Sequence, residues 1–261
     1  MSATAQDRVP LTITWLTQAG VLLEAGSTRL IIDPYFEWVE IDGQKGPTVA
    51  FNLSGMTAAL CTHEHTDHYD PDSLKFIRRY SPGCPIVVPA PLRERAIADL
   101  DEPVIGARVD QPLELGEAVV TPVPAWHAAH TTDPVGDGAT PTSPARFLGY
   151  IIRLGGHTLF HAGDTIRTDR HAADLRKYGV EIAFLPINGR DAVREAQGIV
   201  GNLTEAEAVQ LASDGAVPTL VPIHWDRFAH NPGDPARARR LAEGTGVAVQ
   251  QLLAYVPVLI P

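Results

Sequence analysis

The sequence predicts an α/β fold of the α+β kind, with helices outside a pair of β-sheets and two similar halves. Three observations predict it. Short apolar runs rich in β-branched residues alternate with segments of helical pattern. Strand-like runs crowd the start of each half. A hairpin running into an aspartate occurs twice: Gly20-Val21-Leu22-Leu23-Glu24 with Leu30-Ile31-Ile32-Asp33, and Gly149-Tyr150-Ile151-Ile152-Arg153 with Leu159-Phe160 and then Asp164. A length of 261 residues suits one large domain, and residues 1–261 are read as a single unit.

Leu11 to Leu16, Val21 to Ala25 and Leu30 to Asp33 read as a strand meander. Ala59 to Thr62 is a buried strand ending at a polar cluster. Asp70-Pro71, a cap followed by proline at the first helical position, opens a helix to about Tyr80. Ile86 to Val88 is a strand, Pro91 to Leu100 a helix and Ala118 to Val123 a strand. Thr131 to Ala145, rich in Thr, Pro, Gly and Asp, is a loop. Phe147 to Leu154 and Thr158 to His161 form a hairpin around Gly155-Gly156. Asp169 to Tyr178 is helical and Ile182 to Pro186 a strand. Thr204 and Glu207 make a capping box, Thr219 to Ile223 is a strand, Asp234-Pro235 opens a last helix, and Val247 to Leu253 closes the chain.

A net charge of −10 argues against a nucleic-acid partner, while leaving room for a local basic pocket. No apolar run is long enough to span a membrane. Met1 to Pro10 lacks the apolar core of a secretory signal, which predicts a cytoplasmic protein. Two cysteines, Cys61 and Cys84, are too few for a disulfide framework and read as buried reduced thiols.

The strongest chemical signal is Thr62-His63-Glu64-His65-Thr66-Asp67-His68. On an extended segment alternate residues point the same way, so His63 and His65 can converge on one ion. The chain then turns, and Asp67 and His68 can face a second. Imidazole and carboxylate are common ligands of divalent transition metals. His127, after the strand ending at Pro124-Ala125-Trp126, can complete the first ion. Gly163 allows a tight turn that places Asp164 where a carboxylate can bridge both ions. His224, in Pro222-Ile223-His224-Trp225-Asp226, can complete the second.

This series, His63, His65, Asp67, His68, His127, Asp164 and His224, resembles the metal signature of the metallo-β-lactamase superfamily. The resemblance implies a four-layer αββα sandwich with a dinuclear site at one edge of the sheets. The C-terminal third looks closest to the L-ascorbate-6-phosphate lactonase-like branch. The residues concerned are Leu185-Pro186-Ile187-Asn188-Gly189-Arg190, Gly201-Asn202-Leu203-Thr204, and Ile223-His224-Trp225-Asp226 with Phe228 and Asn231. His161-Ala162-Gly163-Asp164 fits it too. The chain is shorter than that lactonase before the histidine motif and at its C-terminal end, so its substrate loops are expected to differ.

The implied chemistry is hydrolysis of a small ester or lactone, such as a phosphorylated sugar lactone, by a metal-bridged hydroxide. Two divalent ions are expected, zinc or manganese, with iron also compatible, because no thiolate belongs to the set. Asp67 is both ligand and candidate catalytic residue, holding or accepting the proton of the attacking water. Asp33 and Asp226 are candidate partners for the outer ring nitrogens. Asn188, Arg190, Arg194 and Asn202 are candidate substrate contacts, the arginines as anion clamps. His130 is a candidate proton donor, and His161 an extra imidazole nearby. Tyr35, Phe36, Trp38, Trp126 and Trp225 either line a pocket or pack in the core. The segments 34–56 and 131–145 are expected to shape access. The expected partner is a small, anionic substrate, and a homo-oligomer stays open. A metal-dependent phosphodiesterase is the alternative enzyme. A non-catalytic metal-binding recognition protein is the alternative of another class.

Overall fold

In the computed structural model, which describes residues 8–41, 44–47, 51–140 and 142–261, the N-terminal apolar runs form an antiparallel meander. Its strands are β1 (Leu11–Trp15), β2 (Val21–Ala25) and β3 (Thr28–Ile32). A separate hairpin of β4 (Trp38–Ile41) and β5 (Gln44–Pro47) follows. Next, β6 (Ala58–Leu60) runs parallel to β3, β7 (Ile86–Pro89) to β6, and β8 (Ile105–Ala107) to β7. Helices α1 (Pro71–Tyr80) and α2 (Arg93–Leu100) make the two crossovers.

The second half repeats the plan. The antiparallel strands are β9 (Leu113–Leu115), β10 (Ala118–Pro124), β11 (Leu148–Leu154) and β12 (His157–His161). Helix α3 (Asp169–Tyr178) crosses to β13 (Ile182–Pro186), which lies parallel to β12. Helices α4 (Ala192–Ala196) and α5 (Glu205–Asp214) lead to β14 (Thr219–Ile223), and α6 (Pro235–Ala242) to β15 (Ala248–Val249), both parallel additions. The last strand, β16 (Val258–Ile260), returns to pair with β1. Among the described residues the two large sheets have the orders β16-β1-β2-β3-β6-β7-β8 and β15-β14-β13-β12-β11-β10-β9. Each has an antiparallel flank and a parallel flank.

Period-2 alternation sorts the side chains into layers. In β2 and β3, Val21, Leu23, Leu30 and Ile32 face the other sheet, where Tyr150, Ile152 and Leu159 meet them. Leu22 and Ile31 point the opposite way, into the contact with Leu74 and Ile77 of α1 and Ala96 of α2. On the second sheet Ile151 and Phe160 turn outward to Leu175 of α3 and Leu211 of α5. The result is the expected helix–sheet–sheet–helix sandwich.

Local signals explain the ends. Asp70 caps α1 by accepting from Asp72 N and Ser73 N. Thr204 and Glu207 close a capping box on α5. Gly155 and Gly156 have φ of +61° and +81°, the left-handed pair that a two-residue hairpin turn requires.

Other features differ from the sequence reading. The repeated hairpins are real, but their aspartates are not equivalent. Asp33 follows β3 directly and donates its N–H to Leu60 O, whereas the residue doing so after β12 is Ala162, to Phe184 O. Strands β4, β5, β8, β9 and β16 and helix α4 stand where the sequence pattern shows only connecting chain. Each is short, and the strands are fixed by their pairing partners rather than by a period of their own. The chain closes on β16, not on Val247 to Leu253. Part of the 34–56 segment, namely residues 42–43 and 48–50, lies outside the described residues, as do Met1 to Asp7 and Pro141. No helix among the described residues is long and apolar enough to cross a membrane.

Candidate metal centre

The chemistry gathers where the strands β3, β6, β10, β12 and β14 all end, the edge at which α/β sheets commonly bind ligands. After β6 the chain continues parallel pairing through Cys61 N to Val87 O, then turns. His68 N and Tyr69 N both donate to His65 O, so residues 65–69 form one tight turn. That turn aims His65, Asp67 and His68 inward together. After β12, Gly163 takes φ +59°, and a Cβ there would lie 2.8 Å from Leu148 O and from Thr62 Cβ. Only glycine lets the chain pass this close to the histidine segment and deliver Asp164. His224 itself has φ +57°, a strained conformation for a non-glycine residue, held by its N–H to Gln18 O at 2.8 Å.

The seven residues fall into two groups. One ligand atom each from His63, His65, His127 and Asp164 lie within 4.8 Å of one another, as do those of Asp67, His68 and His224. Asp164 touches both: Oδ1 is 3.2 Å from His68 Nε2, and Oδ2 is 3.3 Å from His224 Nε2 and 3.6 Å from His127 Nε2. His65 Nδ1 is 3.3 Å from His127 Nε2, and Asp67 Oδ2 is 3.2 Å from His224 Nε2. Two ligands about 2.0–2.1 Å from one ion at a tetrahedral angle stand about 3.3–3.4 Å apart, so these separations fit a shared metal. His63 Nε2, His68 Nε2 and Asp164 Oδ1 are buried without a hydrogen-bond partner, an arrangement that a metal would satisfy.

The far sides of the rings are held. His68 Nδ1 is 2.7 Å from Asp33 Oδ2, and Thr62 donates to the same carboxylate from N (2.7 Å) and Oγ1 (2.8 Å). His65 Nε2 faces Ala129 O at 3.1 Å. Such contacts fix which nitrogen meets the ion. Asp226 does not partner an imidazole: its Oδ1 accepts from Gln18 N at 3.0 Å. His161 is not among the ligands; its Nε2 faces Ala19 O at 2.8 Å, bracing the β1–β2 loop. Both cysteines are buried and free.

Comparison with known proteins agrees with this geometry. A family described as a beta-lactamase superfamily domain matches residues 28–225. This chain belongs to the metallo-β-lactamase superfamily. Among its relatives, the UPF0173 metal-dependent hydrolase of Archaeoglobus fulgidus is 27% identical over 245 residues, covering 92% of this chain and 94% of that one. That of Thermococcus kodakarensis is 29% identical over 233 residues, covering 88% and 91%. The structure of Igni18, a metallo hydrolase of Ignicoccus hospitalis, superposes with a TM-score of 0.73 at 19% identity, over 97% of this chain and 99% of that one.

In this superfamily member the metal-free electrostatics are uneven. Burial, with His68 and His65 adding repulsion, pushes the His63 pKa well down, and burial takes that of His127 to about 3. Both keep free lone pairs. Burial also opposes charge on His68 and His224, but Asp164 and Asp67 overcome it: His68 is held well above its ordinary value, and His224 at about 9. Burial opposes the Asp67 and Asp164 charges too, and the His68 and His224 imidazoliums outweigh it. An ion binding His68 and His224 must displace their protons. Its apparent affinity is therefore expected to rise with pH from 7 through about 9. Calorimetric titrations in buffers of different protonation enthalpy would show the released protons; affinity independent of pH across that range would contradict this. In the metal-free chain the His224 contribution to stability is full below 6.5 and is lost as pH rises through about 9.

A cavity of about 630 Å³ opens on the centre, lined by His65, Asp67, Asp164 and His224. Arg95, Arg146, His130 and His230 line it too. His130 thus reaches the cavity wall, its N–H on Asp133 Oδ2. The expected clamps do not reach this cavity. Arg190 makes a two-pronged pair with Glu207 (2.7 and 2.5 Å) and donates to Asn202 O. Arg194 binds Asp191, Asn188 O and Asn231. Asn188 joins Asn231 and Asn202 in a buried network. These four residues brace the chain around α4, and a capping box with an arginine beside it is the signal that distinguishes bracing from binding. Arg146, paired with Glu64, escapes sequence reasoning because it stands alone at the end of a loop. The five candidate aromatics are likewise absent from this lining: Phe36 packs on Trp38, Trp225 stacks on Trp15 at 5.2 Å, Trp126 meets His171, and Tyr35 meets Phe228. Among the described residues the lining comes mainly from 64–67, 198–200 and 228–231, and none of the described residues of the two expected access segments is in it.

Proposed function

We propose that the protein is a hydrolase of a small anionic ester or lactone, working with two divalent ions at His63, His65, His127, Asp164 and at Asp67, His68, His224. The observation that carries this reading is the meeting of both ligand groups on Asp164 beside an open cavity. A recognition protein would need no such open face. The relatives named as metal-dependent hydrolases support it. Bound there, zinc or manganese would make water nucleophilic at neutral pH and polarise a substrate oxygen. The chain does the rest. Asp67, 17% exposed and held anionic, is placed to orient the attacking water by accepting its hydrogen bond. His130, on the cavity wall, is the candidate proton donor to a leaving group. Arg146 and Arg95, though paired with Glu64 and Asp99, line the cavity itself and would favour an anionic substrate, in keeping with the phosphorylated sugar lactone suggested by the C-terminal motifs.

The test is ring opening of a phosphorylated sugar lactone by manganese- or zinc-loaded protein, with a chelated sample as control and bis(p-nitrophenyl) phosphate as the phosphodiester probe. Turnover confined to the diester would replace the lactonase reading with the phosphodiesterase one. Arg146→Ala is expected to raise KM for the anionic substrate ~10-fold or more, the loss of one charged hydrogen bond. Arg190→Ala is expected to leave KM unchanged and lower Tm by about 1–3 °C, since its ion pair with Glu207 is partly exposed, 34% and 29%. The opposite pattern would restore Arg190 as the clamp.

A further inference from the structure

Gln18 belongs to no motif in the sequence, yet it reaches the centre. It lies in the β1–β2 loop and is 1% exposed. Thr17 and Gln18 have φ of +72° and +48°, two successive non-glycine residues in the left-handed region. Such strain persists only where surroundings over-determine it. They do so here. Gln18 N donates to Asp226 Oδ1 at 3.0 Å, and Gln18 O accepts from His224 N at 2.8 Å and from Trp15 Nε1 at 3.1 Å. Trp15 is itself stacked on Trp225. The whole clasp ties the loop to the segment that carries His224.

Held this way, the carboxamide points into the second ligand group. Gln18 Nε2 is 2.7 Å from Asp67 Oδ2 and 2.9 Å from His224 Nε2. Asp67 Oδ2 is also the oxygen of that carboxylate that approaches the His224 and His68 ring nitrogens, at 3.2 and 3.6 Å. Protonated or bound to an ion, His224 Nε2 has no lone pair to offer the amide N–H, so the carboxylate is its acceptor. We propose that Gln18 is a positioning residue of the second ion's site: its amide N–H holds Asp67 Oδ2 and so fixes the aim of that carboxylate at the ion shared with His68 and His224. This rests on the two-ion reading above. It assigns the strained loop a purpose, because a relaxed backbone at Gln18 would swing the amide off Asp67.

The test uses metal-stripped full-length protein titrated with cobalt(II), followed by calorimetry and visible absorption. Gln18→Met keeps the length of the side chain and removes the N–H. The first equivalent is expected to bind as in the wild type. The second is expected to bind 10–100-fold more weakly, the usual effect of losing a hydrogen bond to a ligand. The absorption added by the second equivalent should change shape, while that of the first does not. A side chain that only fills space is replaced by methionine without either change, so a second-ion affinity within twofold of wild type overturns the proposal. If Gln18→Met does not fold, Gln18→Asn, which draws the amide back by one methylene, reads the same loss. A wild-type chain that takes up no second ion overturns the two-ion reading itself.

Discussion

Replacing Asp164 with alanine is expected to reduce the tightly bound ions from two to at most one and to lower turnover by on the order of 10³-fold or more, the scale seen when a preorganised electrostatic group is lost. The carboxylate is 5% exposed and stands between both ligand groups, 3.2 Å from His68 Nε2 and 3.3 Å from His224 Nε2. Its loss also removes the anion that keeps His68 and His224 protonated in the metal-free chain, so both pKa values should fall. Asp164→Asn, of equal volume, separates these effects from packing. Metal analysis after dialysis, together with turnover, is the measurement. A variant that keeps two ions and near-normal rate would rule out the bridging role.

The second large effect is expected at Asp33, which never meets the ion. Asp33→Ala leaves Thr62 N, Thr62 Oγ1 and His68 Nδ1 without their shared acceptor in a fully buried place. Each orphaned group costs about 1–3 kcal/mol, and such losses add imperfectly, so a destabilisation of about 3–5 kcal/mol is expected for the metal-free protein. Asp33 also has φ +47°, which alanine tolerates less well than aspartate. Asp33→Asn spares the backbone and isolates the acceptor. Metal affinity should fall 10–100-fold as His68 loses its orientation. Denaturant unfolding followed by metal titration would show both. A loss below about 1 kcal/mol would mean that water takes over the acceptor's place.

The layers of the fold were legible because β2, β3, β11 and β12 are short, largely apolar runs buried on both faces, and capping at Asp70 and Thr204 is local. The strands β8, β9 and β16 were not, because three residues carry no period and cannot announce their partners. The metal-type residues could be named since histidines and aspartates clustered at strand ends have few structural uses. Gln18 could not, because a neutral amide in a loop has no pattern; its importance lies in a backbone strain and in Asp226 and His224, far along the chain. Arg190 and Arg194 present the converse case. An arginine's type predicts an anion, but not whether that anion is a substrate or the chain's own Glu207 or Asp191.

His63 follows a strand of one sheet, and Asp164, far along the chain, follows a strand of the other. An ion binding both can do so only after the sheets have docked, since the chain must first close that long loop. Metal bound there would therefore act on the lifetime of the folded protein more than on the speed of its formation. A chelator would leave the layered core intact yet shorten that lifetime, and opening would begin where the two sheets exchange ligands.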